Sequence, residues 1–221
     1  MASKTSKAKP ERYLRNVISL FSFLLIFWGL YRFLFQLPEE VEELVVKPIF
    51  WLVPLAYFLK KEARGLSSLG FNTKGLFKSI YFALGLGAAF AVIGMFVNYL
   101  KYGGFDFSAN IGTSPILVSL GISFATALVE ETTFRGYVFT RLWEAFGNEL
   151  WANLVSSFLW MVIHLPVTLF VWKLNFAASI TYLLLTTMFG IGASFIFAKT
   201  RNIFSPIFLH VLWAWPIILF R

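Results

Sequence analysis

The chain of 221 residues contains no cysteine, which excludes disulfide staples, thiol nucleophiles and thiolate-bound metals and leaves the redox compartment unread. Charge is scarce too: Asp, Glu, Lys and Arg make up 14% of the residues against 58% apolar, and the mean hydropathy is +0.74. That balance describes a chain that crosses a bilayer repeatedly, not a soluble domain. Also missing are a Gly-x-Ser-x-Gly elbow, a phosphate loop, a dinucleotide fingerprint and a His-Glu-x-x-His zinc helix. The net charge of +8 follows from basic residues at helix ends, so nucleic acid is not expected as a partner.

What is present is length in apolar runs. Spans at about 17–37, 44–59, 76–100, 115–142, 150–172, 176–198 and 203–220 suit a hydrocarbon layer of about 30 Å crossed at about 1.5 Å per residue. The expected fold is all-α, a polytopic helical bundle of seven or eight transmembrane helices. The second span is the weakest, being short and carrying Lys47, Pro48 and Pro54. Residues 1–16 read as a basic cytoplasmic arm retained ahead of an anchor, and 17–221 as a single membrane domain. Basic residues gather in the arm, at 60–78, at Arg141 and at Lys199 with Arg201, while the connection Pro38–Glu43 is acidic. Seven spans with the N-terminus in the cytoplasm place every basic connection there, as expected of a cell-membrane protein.

Within the fourth span stand Glu130 and Glu131, followed by Arg135. Charges in such a stretch need compensation, because an isolated carboxylate costs several kcal/mol to hold in a low dielectric. Arg135, one helical turn beyond Glu131, can take that acid as a partner. Glu130 is then the spare acid, open to proton chemistry. At helical rise the pair lies about 16 Å from a span end near Arg141, while His164 lies about 21 Å and His210 about 10 Å into their own spans. The two histidines and the acid pair can therefore meet in the cytoplasmic half.

Each residue taken alone also has a structural reading. Glu131 with Arg135 can be a plain ion pair, His164 can satisfy carbonyls freed by Pro166, and His210 can be a packing hydrogen bond. The repeats Gly190, Ser194, Ala198 and Ala83, Gly87, Ala91 read as close helix packing, and the Phe and Trp residues as lipid-facing bulk and interfacial anchors.

The segment Glu130-Glu131-Thr132-Thr133-Phe134-Arg135 resembles the Glu-Glu-x-x-x-Arg motif of the CPBP intramembrane proteases, the superfamily of type II CAAX prenyl endopeptidases and bacterial ABI proteins. Residues 152–158 leading to His164-Leu165 look like the second motif. Phe189-Gly190 with Gly192, then Ser205-Pro206-Ile207 and His210, look like the glycine-bearing helix and third motif. The resemblance covers about 115–215. Two positions depart from it: Trp160 stands where phenylalanine is usual, and Ala214 where a polar residue is common. If the family's site uses that polar side chain on the oxyanion, one donor is missing here, and such a loss costs about 10²–10³ in rate.

The reading that follows is an intramembrane endopeptidase acting on membrane-associated or lipidated substrates, prenylated tails among the candidates. Glu130 is assigned as general base, His164 as the group that orients or shares its water, and His210 as oxyanion donor. Glu131 shapes the site with Arg135, and Trp160 supports it. No cofactor is required, although Glu130, His164 and His210 are also a competent ligand set for zinc. The alternative is a non-catalytic membrane scaffold or a proton- or ion-coupled transporter. Lipid and a membrane-bound peptide are the partners expected.

Overall fold

The computed structural model describes residues 10–104 and 115–219 and, among them, contains helices and no strand. Helix α1 is Pro10–Leu34, α2 covers 39–61 with its regular part at Lys47–Lys61, and α3 is Leu76–Tyr102. Then come α4 (Leu117–Phe146), α5 (Glu149–Val171), α6 (Phe176–Thr200) and α7 (Phe204–Leu219). Five of these, α1, α3, α4, α5 and α6, are long and apolar enough to cross a membrane; α2 and α7 are shorter. The protein is an integral membrane helical bundle. Its ends follow from local chemistry: Asn148 and Asn175 cap α5 and α6 by accepting from Trp151 and Ala178 N–H groups, and Gly103 and Gly147, both at positive φ, end α3 and α4.

Small residues set the packing as their spacing implies. A Cβ on Gly190 would lie 3.1 Å from Ser157, where α5 and α6 meet, and one on Gly87 would press into Leu212, where α3 meets α7. Asn153 reinforces the α5–α6 seam by donating to the Ile191 carbonyl, and Ser157 donates to Asn153.

Three expectations need correction. The basic arm is shorter than 1–16, because α1 starts at Pro10 and Tyr13 and Asn16 are buried in the bundle. Arg141 is not part of a solvated connection, since α4 runs on to Phe146 and Arg141 is fully buried, its Nε donating to Glu62 at 2.7 Å. Glu62 also accepts from Tyr137 at 2.7 Å and Asn16 at 2.9 Å, so one carboxylate ties α1, the end of α2 and α4 together. Finally, the acidic stretch is not a loop but opens α2, helical from Glu39, and Glu42 is buried, accepting from Tyr31 and the Leu37 N–H and pairing with Arg32.

The connections at the Arg141 end fold inward. Leu69, Asn202 and Ile203 have no exposed surface, and Ile203 N–H donates to the Gly70 carbonyl. Asn202 donates to the Asn72 and Lys74 carbonyls, both at 3.0 Å, and accepts from Phe204 N–H, fixing the start of α7. Gly136 makes this possible: a Cβ there would stand 3.0 Å from the Leu69 carbonyl oxygen and 3.5 Å from Ile203. Helix α7 thus begins inside the bundle, which is how a histidine only six residues into it reaches the middle of α4.

Candidate active site

Glu130 and Glu131 end the regular part of α4, and the chain passes at once into a π-helical stretch, Thr132–Phe139, in which every residue is buried. Such stretches widen a helix locally and recur at functional sites. Three more occur among the described residues, at Leu24–Trp28 within α1, at Glu42–Val46, just before Lys47, and at Val167–Val171, just after His164. With α4 extending to Phe146, the acid pair sits about 20–24 Å from that end, deeper than the expected 16 Å.

The two carboxylates have different partners. Glu131, with no exposed surface, receives Arg135 Nη1 at 3.1 Å and His210 Nδ1 at 2.7 Å, both on its Oε1. Its Oε2 and the Nη2 of Arg135 are buried without a hydrogen-bond partner. The Arg135–Glu131 pairing matches the one-turn spacing read from the sequence. Glu130, 6% exposed, is not the spare acid: Lys47 Nζ donates to its Oε1 at 2.7 Å. Lys47 is itself buried and also pairs with Glu43, which accepts from Thr126 at 2.6 Å. The other oxygen of Glu130, Oε2, faces His210 Nε2 at 3.9 Å, a separation that one water molecule can bridge.

Trp160 is the platform on which these groups meet. The Arg135 guanidinium lies 4.4 Å from its ring centroid, Phe134 packs edge-on at 4.9 Å, and the His164 and His210 rings stand at 4.6 Å and 5.9 Å. Cation–π contact of this kind is worth about 0.5–2 kcal/mol and holds the guanidinium plane. Trp160, with Trp28 and Trp51, is therefore interior and not lipid-facing, a correction for those three tryptophans. Phe189 adds a second face, 4.9 Å from His210 and 5.2 Å from Arg135.

His164 sits where α5 bends ahead of Pro166. Its backbone N–H turns to Met161, three residues back, and its Nδ1 takes the Trp160 carbonyl at 2.7 Å. The structural role of satisfying a carbonyl near the proline is thus present. It also has a chemical result: Nδ1 carries the proton, so in the neutral ring Nε2 bears the lone pair. By the same logic His210 donates from Nδ1 to Glu131 and keeps Nε2 for the site.

All six residues singled out in the sequence, Glu130, Glu131, Arg135, Trp160, His164 and His210, occupy this one buried region. Ala214 lies on α7 outside the residues whose side chains are described. Among the described residues no three of His, Asp and Glu are arranged to hold a metal ion; Glu130 is taken by an ammonium and Glu131 by a guanidinium and an imidazole. Sequence reasoning missed Lys47 and Glu43. The signal was available, since Lys47 is a charge inside an apolar span, as the two glutamates are. Beside α7 an apolar cleft of about 610 Å³ opens between α3 and α4, lined by Ala83, Leu117, Phe124, Phe208 and Val211 among others.

Residues 112–216 match the family described as "Type II CAAX prenyl endopeptidase Rce1-like". Through this region the chain is similar to the CPBP/CAAX protease family. A relative in Bacillus subtilis (strain 168), named "Putative membrane peptidase YdiL", is 30% identical over 98 residues, which are 44% of this chain and 34% of that protein. The chain thus matches about a third of the length of that relative. Family and relative point to a membrane peptidase, and the helices α1 to α3 lie outside the family match.

Proposed function

We propose that the protein is an intramembrane endopeptidase that hydrolyses membrane-associated or lipidated peptides with a water activated by Glu130. The observation that carries this is the meeting of Glu130, Glu131 and His210 inside an apolar bundle, around a tryptophan that also touches His164. The charge count gives it a direction. Three carboxylates, Glu43, Glu130 and Glu131, face two permanent cations, Lys47 and Arg135. The permanent charges are one positive short of balance, which a protonated His210 beside Glu131 makes up, leaving Glu130 as the acid that exchanges a proton with water.

In this reading Glu130 Oε2 receives the proton, and His164 Nε2 orients the water or shares its proton. His210, protonated on both nitrogens and held by the Glu131 carboxylate, donates from Nε2 to the carbonyl oxygen as it becomes negative. Glu130 then returns the proton to the leaving amine. No serine or cysteine attacks, so no acyl-enzyme forms. No step needs a metal. The apolar cleft beside α7 supports a substrate carrying a lipid or an apolar anchor, with the basic connections and the N-terminal side in the cytoplasm of a cell-membrane protein.

The test is hydrolysis of membrane-anchored fluorogenic peptides, prenylated and unprenylated, by purified protein in lipid, with and without chelator. Wild type is expected to cleave them with chelator present, faster than soluble peptides of the same sequence, and Glu130→Gln to lose at least about 10²-fold in kcat while remaining folded. Equal rates on soluble peptides would remove the membrane-substrate reading, and an active Glu130→Gln would remove the general base. Loss of activity with chelator would replace the metal-free mechanism. No cleavage of any substrate would favour a scaffold or a transporter.

A further inference from the structure

Lys47 stands 83 residues from Glu130 in sequence and comes from a helix outside the family match, yet its ammonium lies 2.7 Å from the Glu130 carboxylate. Resting on the hydrolytic reading above, we propose that Lys47 is a positioning residue of the site, which fixes one oxygen of Glu130 and supplies its counter-charge so that the other oxygen is presented to the reacting water.

Three observations converge on this. The first is division of labour within one carboxylate: Oε1 is bound by Lys47, while Oε2 faces His210 Nε2 at a distance that one water spans. A carboxylate free to rotate about its last torsion would exchange these oxygens; a bond to one of them stops that. The second is that Lys47 is itself held. Glu43, one turn before it, pairs with the same ammonium and accepts from Thr126 on α4, and the Trp28 ring lies 5.8 Å away. Thr126 stands one turn before Glu130, so α2 is pinned to α4 at two points one turn apart. The third is charge. Among the described residues Glu130 meets no other permanent cation at hydrogen-bonding distance, Arg135 being engaged with Glu131, and a buried carboxylate without a counter-ion takes a proton and ceases to be a base.

A plain structural ion pair would also hold α2 against α4, so the test must read Glu130 itself. Lys47→Met keeps length and apolar stem while removing the charge, and Lys47→Arg restores a cation. In Lys47→Met, kcat on a membrane-anchored peptide should fall about 10²-fold with KM within about twofold, the loss expected when a reacting group is misplaced. Lys47→Arg should recover part of it. Infrared spectra of the same purified proteins, which need no substrate, should show the carbonyl band of a protonated carboxyl in Lys47→Met that is absent from wild type and from Lys47→Met combined with Glu130→Gln.

If Lys47→Met retains wild-type kcat, or shows no such band, the proposal is overturned. A fall in kcat without the band, together with equal loss in Lys47→Arg, would reduce Lys47 to a packing role and also overturn it. If wild type cleaves nothing while the band appears as expected, the charge pairing stands and the hydrolytic reading fails instead.

Discussion

The bundle contains two buried ionic clusters on the same helix, and they differ in kind. Around Glu62, one carboxylate faces one guanidinium, Arg141, and its remaining capacity is filled by Tyr137 and Asn16. Around Glu130 and Glu131, three carboxylates face two permanent cations and two imidazoles stand alongside. Unpartnered polar atoms occur in both clusters, on Asn16 and Arg141 in the first and on Glu131 and Arg135 in the second. Buried charge alone therefore does not mark a site. What separates the clusters is that the first is balanced and the second can accept a proton.

The largest effect should come from removing the central acid of each. Glu131→Ala and Glu62→Ala each leave a buried arginine without its anion, and each is expected to cost about 3–5 kcal/mol of stability in denaturation in detergent. They should part in activity: hydrolysis per folded molecule is lost in Glu131→Ala, which also frees His210, and retained in Glu62→Ala. Equal inactivation of both would erase the distinction between the clusters.

A smaller effect is expected at the wedge between them. Gly136→Ala places a methyl against the Leu69 carbonyl and the inward-folded start of α7, at a cost of about 1–3 kcal/mol, with kcat falling because His210 shifts from Glu131. Stability loss with unchanged kcat would show that the site tolerates movement of α7.

The smallest concerns a third pair at the rim, Arg64 with Glu144 at 2.6 Å, where both side chains are about one-third exposed. Glu144→Gln should change stability by no more than about 1 kcal/mol and leave kcat alone. A larger change would mean that the Glu62 cluster, which Arg64 reaches through Tyr13, extends to the surface.

Much of this was legible in the sequence because intramembrane charge is rare and each instance asks for a reason. Glu130, Glu131, Arg135 and both histidines stood out on that ground, and the spacing of Glu131 and Arg135 named one pair correctly. The family resemblance ordered the rest. The partner of Glu130 was not read, because Lys47 lies in a short span next to an acidic run that resembles a solvated loop, and periodicity says nothing about which helices touch. Arg141 failed for a related reason: a basic residue near the end of an apolar run reads as an interfacial anchor unless its acid is known, and Glu62 is far away in sequence. The depth of His210 could not be derived from helical rise, since the connections before α7 are folded into the bundle.

The i,i+4 pairs have a consequence for biogenesis. Glu43 with Lys47, and Glu131 with Arg135, are each contained within one helix, so each helix can enter the bilayer with those charges already neutralised. Of the acid pair on α4, Glu130 has no such partner on its own helix. When α4 is inserted, that one acid must travel as a protonated group or find the Lys47 already delivered by α2, and its meeting with Lys47 is the event that turns separately inserted helices into an assembled site.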